Sequence, residues 1–387
     1  MTFSSPSGRV IKNPKKLSFD YVPDKLPHRD EQQQNLFLLF RRVVEDGVSQ
    51  NAFLHGNVGT GKTASAKRFC MDYKEWASKE RKAVDYVFVN CRRRSNKSSI
   101  MWKLVSHFDK NFPDRGFSVG EMMEILKKHI NKRGTHMFVV LDEADALIQR
   151  DGPELVFLLS RFDDESVNPV GSVSLILISQ KNILELLDES ALSTFKRSNR
   201  VRFPSYDKEE MKDILHYRSE LALHPGTIED DELELLSLIA AERGDARLGI
   251  ELLEKSALLA EQRGENRIFP EDIRTAKADV DPHMTGSRLN SINDHERMIL
   301  LAAVQKLRNT SFVTTGELES HYSVLCENYG KSSLGHTQFW KYLNSLNAEG
   351  LLDTETASSG KGRTTRVSLN DIPADVLEKK LISLIEG

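Results

Sequence analysis

The first two hundred positions alternate between short β-rich runs, at 52–55, 85–90, 137–141, 173–179 and 201–203, and segments whose apolar residues recur at helical spacing. Apolar strands separated by amphipathic helices predict a parallel sheet covered on both faces, an α/β domain. From 205 to 278 the pattern is helical throughout, with Leu233, Leu235, Leu236, Leu238 and Ile239, then Leu248, Leu252 and Leu253, at helical intervals. Pro282, Gly286 and several polar residues mark a linker. Three more amphipathic helices follow, at 294–308, 315–329 and 337–347, and then a hairpin-like segment between Leu351-Leu352 and Val367-Ser368-Leu369. The opening residues are polar, with Ser, Pro and Lys, and are expected to form a flexible arm. At 387 residues the chain is too long for one ordinary core. The expected division is an arm at 1–18, the sheet domain at 19–204, a helical domain at 205–280, a linker at 281–293 and a C-terminal domain at 294–387.

Where the first strand turns into a helix, Gly56-Asn57-Val58-Gly59-Thr60-Gly61-Lys62-Thr63 forms a complete phosphate-binding loop, with Ala64 opening the helix that follows. Glycines let backbone N–H groups curl around an anion, and the helix N-terminus adds partial positive charge. Lys62 can reach the β- and γ-phosphates, and the Thr63 hydroxyl can ligate Mg²⁺. The run 138–141 ends in Asp142-Glu143. Strand C-termini of a parallel sheet open onto the ligand crevice, so Asp142 is expected to hold Mg²⁺ through water. Glu143 is placed to polarise an attacking water, and Asp145 is read as a cap or a supporting residue. After the fourth strand, Gln180 and Asn182 both qualify to sense the γ-phosphate, and spacing does not choose between them. In the helical domain Asp245 can cap the helix carrying Leu248, and Arg247 sits in its first turn. A cation there opposes the helix dipole, which points to an anionic partner.

A net charge of −3 excludes a globally basic nucleic-acid coat but allows local basic patches. Cys70, Cys91 and Cys326 lie far apart and form no CxxC pair, so neither a disulfide framework nor a zinc site is expected. No apolar stretch approaches membrane-spanning length. The expected setting is the cytoplasm, on the nucleoid.

The C-terminal domain fits a winged helix. On its third helix Phe339, Leu343 and Leu346 share one face, which leaves Thr337, Gln338, Lys341, Asn344 and Ser345 to reach phosphates and base edges of a major groove. Within the hairpin-like segment the stretch 358–366 carries Lys361, Arg363 and Arg366 without an acid, as a wing entering a minor groove would. A second basic stretch, Arg92-Arg93-Arg94-Ser95-Asn96-Lys97, follows the second strand; a solvated charge run is an equally good account of it.

Together these residues resemble the archaeal origin-recognition initiators and helicase loaders, members of the AAA+ ATPases related to eukaryotic origin-recognition subunits. The phosphate loop, Leu141-Asp142-Glu143-Ala144-Asp145 and Gly244-Asp245-Ala246-Arg247 match that family in order and spacing. So does the N-terminal box from Tyr21 to Gln32, which packs near adenine in the family. The resemblance runs from about Leu17 to Leu369. It implies an AAA+ sheet domain, a helical lid and a C-terminal winged helix, with ATP or ADP and Mg²⁺ as cofactors. It implies nucleotide contacts from Val22, Pro27, His28 and Arg29, with Tyr206 and Arg218 assigned to the same set, and a γ-phosphate role for Arg247. It also implies DNA contacts from Arg92, Arg93, Arg94 and Lys97 of the ATPase domain. The family usually has Ser-Asn-Asp after the fourth strand, whereas this chain has Ser179-Gln180-Lys181-Asn182, which leaves the sensor open. Arg197 and Arg200 are positional candidates for an arginine finger. The implied function is slow, Mg²⁺-dependent ATP hydrolysis by an initiator that binds duplex origin DNA and helps load an MCM-type replicative helicase, alone or with other initiator paralogues. The alternatives are a nucleotide-gated DNA-binding regulator with negligible turnover and a signalling ATPase whose winged helix binds protein.

Overall fold

The computed structural model describes residues 8–163, 170–183, 199–280, 289, 292–359, 362–369 and 373–386, without the side chains at 357–359 and 362–363. The chain divides into two bodies, Val22–Tyr206 and, together, Met1–Tyr21 with Asp207–Gly387.

The first body runs α1 (Asp30–Glu45), β1 (Ala52–Gly56), α2 (Lys62–Lys79), β2 (Val84–Asn90), α3 (Lys97–Phe108), α4 (Val119–Arg133), β3 (His136–Asp142), α5 (Ala144–Asp151), α6 (Glu154–Ser160), β4 (Ser172–Ser179) and β5 (Arg200–Phe203). The five strands form one parallel sheet in the order β2-β3-β4-β1-β5. All five expected strands are present. Successive residues of a strand face opposite sides, and β3 shows both being buried. Phe138 and Val140 pack with Leu36 and Phe40 of α1 and Phe69 and Tyr73 of α2. Met137, Val139 and Leu141 pack with Ile100 and Leu104 of α3, Leu126 of α4 and Leu155 of α6. Covering both faces leaves the strand ends as the open rim of the sheet. The loops after β1, β3 and β4 leave from the carboxyl ends of adjacent strands, where ligands bind open α/β sheets.

Of the stretch expected to be a loose arm at 1–18, the described part is fastened to the second body: Val10 and Leu17 are fully buried, Ile11 bridges Leu223, and the Lys12 and Asn13 N–H groups donate to the Ala222 carbonyl at 2.8 and 2.9 Å. Four helices follow, α7 (Lys208–Ala222), α8 (Asp230–Ala241), α9 (Ala246–Gln262) and α10 (Pro270–Val280). The remainder is α11 (Asp294–Leu307), β6 (Val313–Thr314), α12 (Thr315–Asn328), α13 (His336–Ala348), β7 (Asp353–Ser359), β8 (Gly362–Ser368) and α14 (Ala374–Glu386). Its antiparallel sheet has the order β6-β8-β7, which completes a winged helix. Capping boxes start α7 (Asp207 with Glu210), α11 (Asn293 with Glu296) and α12 (Thr314 with Glu317). The helix α14, which the pattern did not single out, buries Leu377 and Leu381 in the same core as α11. Arg274 of α10 is fully buried and donates to the carbonyls of Leu369 (2.8 Å), Leu307 (2.6 Å) and Thr310 (3.0 Å), so it joins the helical segment to the winged helix. Burial lowers its pKa to about 10.

Candidate nucleotide site and basic surfaces

The phosphate loop is shaped by close approach. Gly56 has φ +154°, and a Cβ there would lie 2.2 Å from the Phe203 carbonyl oxygen on the adjacent β5. Gly61 has φ +82°, and a Cβ would meet the Tyr206 hydroxyl at 2.7 Å. Only glycine fits either position. Around this turn the Thr60 hydroxyl donates to the Asn57 carbonyl (2.9 Å) and Asn57 Nδ2 donates to Ser205 Oγ (3.1 Å). Lys62 Nζ folds back on the Gly56 and Asn57 carbonyls at 2.9 and 2.6 Å. Gly59 is left-handed at φ +70°, Val58 is exposed, and Ala64 lies in the first turn of α2.

The N-terminal box lies beside this loop. Arg29 is 1% exposed and donates through Nε to the Thr60 carbonyl (3.0 Å), through Nη1 to the His28 carbonyl (2.7 Å) and through Nη2 to the Pro204 carbonyl (2.7 Å). Its guanidinium lies 3.7 Å from the centre of the Tyr206 ring. Arg29 and Tyr206, expected as nucleotide contacts, are thus observed bracing the loop that would hold the phosphates. His28 is exposed in the left-handed region at φ 59°, and Val22 and Pro27 are half-buried.

The opposite wall is acidic. Thr63 Oγ1 donates to Asp142 Oδ2 at 2.9 Å, which brings the two expected metal ligands together. A hydroxyl and a single carboxylate suit Mg²⁺, which keeps several of its own waters. Ser179 Oγ donates to Asp145 Oδ1 at 2.9 Å, tying the ends of β3 and β4. Glu143 adopts a left-handed backbone (φ 55°, ψ 46°), a strained geometry for a residue with a Cβ. Its Oε2 accepts from Asn90 Nδ2 at 3.3 Å and lies 3.2 Å from Arg92 Nε. Asn90 was not among the expected site residues. The available signal was its place at the end of β2, paired in register with Asp142. Two groups report the field on the two sides. Burial, and then the cations of Arg202, Arg200 and Lys62, hold the His55 imidazole below its ordinary pKa. Burial, and then Asp142, Asp145 and Glu143, push the Cys91 thiol up to about 12. The rim is therefore positive at the loop and negative beneath it, a field that suits a polyphosphate carried with a divalent cation. Gln180 and Asn182 are both exposed just past β4, and Arg200 is exposed on β5. Arg197 lies outside the described residues.

In the second body Asp245 Oδ1 accepts from the Arg247 and Leu248 N–H groups at 2.8 and 3.4 Å, the expected cap, and the Arg247 side chain is exposed. Arg218 is buried, donates to the Lys16 carbonyl at 2.8 Å and lies 5.3 Å from the Tyr21 ring centre; burial lowers its pKa.

The basic residues separate into committed and exposed ones. Arg366, expected on DNA, is turned toward α8. It pairs with Glu234 at 3.0 Å and Asp231 at 3.7 Å, over the Phe312 ring at 3.8 Å. Glu234 also takes Lys208 at 2.9 Å, and Lys208 takes Glu355 at 2.6 Å. The reason is strand alternation: β8 buries Val367 and leaves Arg366 against the acidic first turns of α8. Lys97 is likewise paired, with Glu154. Arg94 covers the Trp102 ring at 5.1 Å, and Arg93 is exposed. On α13, Phe339, Leu343 and Leu346 are fully buried, Thr337, Lys341 and Asn344 are exposed, and Gln338 and Ser345 are half-buried. Lys361 and the Arg363 side chain lie outside the described residues; the Arg363 backbone pairs with Ser358 across the hairpin. No helix among the described residues is long and apolar enough to cross a membrane.

With this geometry in place, comparison with known proteins is consistent along the whole chain. Residues 47–187 match the AAA domain model, 212–278 the Cdc6 AAA+ ATPase-type lid domain and 287–379 the CDC6 C-terminal winged helix domain. The ORC1-type DNA replication protein 1 of Archaeoglobus fulgidus is 31% identical over 378 residues, covering 97% of this chain and 91% of that protein. The crystal structure of Cdc6p from Pyrobaculum aerophilum superposes with a TM-score of 0.84 at 30% identity, over 97% of this chain and 99% of that one. The Aeropyrum pernix ORC1 protein, solved in complex with DNA, gives a TM-score of 0.65 at 28% identity, over 97% of each chain. Sheet domain, lid and winged helix, each matched in sequence and in fold, place this chain in the ORC1/Cdc6 family of AAA+ replication proteins.

Proposed function

We propose that the protein is an ATP-regulated replication initiator that binds duplex origin DNA, hydrolyses ATP slowly and helps load an MCM-type replicative helicase, alone or with initiator paralogues. The observation that carries the nucleotide reading is the meeting of Thr63, the residue after Lys62 in the phosphate loop, with Asp142 at 2.9 Å. In that arrangement Lys62 exchanges two backbone carbonyls for phosphate oxygens, a swap that leaves no charge uncompensated. Thr63 and Asp142 would hold Mg²⁺, which supplies charge neutralisation on the phosphates. A water oxygen bonds to the γ-phosphorus, its proton passes to the Glu143 carboxylate, and the bond to the β–γ bridging oxygen breaks to give ADP and phosphate. Slow turnover fits a Glu143 oxygen already bonded to Asn90 and Arg92.

The duplex reading is supported by the winged helix, by Thr337, Lys341 and Asn344 exposed along α13, and by the DNA carried by the Aeropyrum pernix relative. Footprinting the full chain on its genome's origin, with ATP and with ADP, tests it. Protection that differs between the nucleotides is expected. Absence of protection at low ionic strength would remove the initiator and leave an ATPase of this family.

A further inference from the structure

The chain has three tryptophans, and packing accounts for two of them. Trp76 meets the Phe37 ring at 4.9 Å and the Tyr73 ring at 5.2 Å, and Trp102 lies under the Arg94 guanidinium at 5.1 Å. Trp340 is different. It is 37% exposed on α13, and among the described residues no ring stacks on it and nothing accepts from its indole N–H. Burial of Phe339, Leu343 and Leu346 turns the helix so that Thr337, Trp340, Lys341 and Asn344 form its exposed stripe, at the i, i+3, i+4 and i+7 spacing of one face. No acid occurs anywhere in His336–Ala348, so the stripe holds a cation, two polar side chains and an indole with no carboxylate from its own helix. One acid reaches the start of the helix, Glu319 of α12, which pairs with His336 at 2.8 Å. Keeping an indole in water forfeits the burial of a large apolar surface, and an aromatic ring set among hydrogen-bond donors marks a recognition surface.

We propose that Trp340 is a specificity-determining residue of α13 that reads thymine in the major groove. This rests on the duplex-binding reading. In that groove thymine alone presents a methyl group, and it lies beside the O4 acceptor. The indole edge matches this pattern, with apolar carbons next to a single N–H donor. Cytosine offers an amino donor where thymine has O4, and so opposes the indole N–H; guanine offers acceptors but no methyl. Lys341, four-residue neighbour of Thr337 on the same stripe, is left to the phosphates, which position the helix without reading sequence. The two adjacent residues thus divide the work, Lys341 by charge and Trp340 by shape. A contact made through a methyl group carries no counterion term, so it is separable from the cationic one by its insensitivity to salt.

The test is duplex affinity of the full chain as wild type, Trp340→Ala and Trp340→Phe, across ionic strength. The probes are a duplex from the genome's origin and the same duplex with deoxyuridine in place of thymidine, a change that removes the methyl groups and nothing else. Wild type is expected to bind the deoxyuridine duplex about fourfold more weakly for each methyl contacted, the scale of one buried methyl. Trp340→Ala binds the thymidine duplex about tenfold more weakly than wild type, with an unchanged salt slope, and does not distinguish the two duplexes. Trp340→Phe keeps an apolar ring without the N–H, so it binds more weakly than wild type but still prefers thymidine. Equal wild-type affinity for the two duplexes overturns the proposal, as does a Trp340→Ala that keeps the wild-type preference. A Trp340→Ala salt slope that falls as Lys341→Ala's is expected to would also overturn it, by making the contact one to phosphate. If wild type binds neither duplex at low salt, the duplex-binding reading fails and this proposal falls with it.

Discussion

Lys62 in the phosphate loop and Arg366 in the winged-helix hairpin are both cations held in place, but by partners of different kind. Lys62 donates to the neutral carbonyls of Gly56 and Asn57, whereas Arg366 is paired with the carboxylates of Glu234 and Asp231. An arriving phosphate replaces carbonyls at little electrostatic cost. To take Arg366 it must leave Glu234, whose side chain is only 15% exposed, with Lys208 as its remaining cation. The partner a cation already has decides whether an anionic ligand can recruit it. Arg92 falls between the two cases, because it meets a carboxylate, that of Glu143, but its contact is exposed.

The sharpest way to break this contrast is at the loop. Gly56→Ala would place a Cβ 2.2 Å from a backbone oxygen of β5, so ATP binding is expected to vanish while the winged helix stays folded. A fluorescent ATP analogue read by anisotropy, with near-normal duplex affinity, checks both halves. Lys62→Ala removes the ammonium without reshaping the turn. The expected loss of ATP affinity is about 100-fold, the scale of two charge-assisted hydrogen bonds, by the same assay. Arg366→Ala should instead appear as a stability defect of about 1–2 kcal/mol, because it strips a partner from a half-buried carboxylate that keeps Lys208. Urea unfolding midpoints measure it, and retained ATP affinity would localise it to the second body. The smallest effect belongs to Lys341→Ala on α13, an exposed residue for which the described structure shows no carboxylate contact. It should weaken duplex binding a few-fold and lower the salt slope by about 0.9, one phosphate contact.

These outcomes also bear on why some of this molecule could be read from its residues and some could not. The five strands and the meeting of Thr63 with Asp142 were legible because fixed spacings carry geometry: a strand end, a tight turn and a helix start leave few places for the side chains. Arg29 matched a motif, but its use as a brace for the Thr60 and Pro204 carbonyls depends on β5 returning beside β1, which no local pattern encodes. Asn90 was hidden for the same reason, since its value comes from register with Asp142. The N-terminal segment was misjudged because it attaches by backbone hydrogen bonds and by two isolated apolar residues, Val10 and Leu17, too few to give a period. Runs of Lys and Arg show least of their surroundings. Charge is visible in a sequence, but Glu234 and Glu154, which occupy Arg366 and Lys97, are distant along the chain.

Duplex affinity of the full chain measured across ionic strength, for wild type, Lys341→Ala and Arg366→Ala, tests the account most directly. The predicted result is salt-dependent binding by wild type, a slope shallower by about 0.9 for Lys341→Ala and a wild-type slope for Arg366→Ala. No wild-type binding at low salt, or an Arg366→Ala slope that falls as far as that of Lys341→Ala, would contradict it.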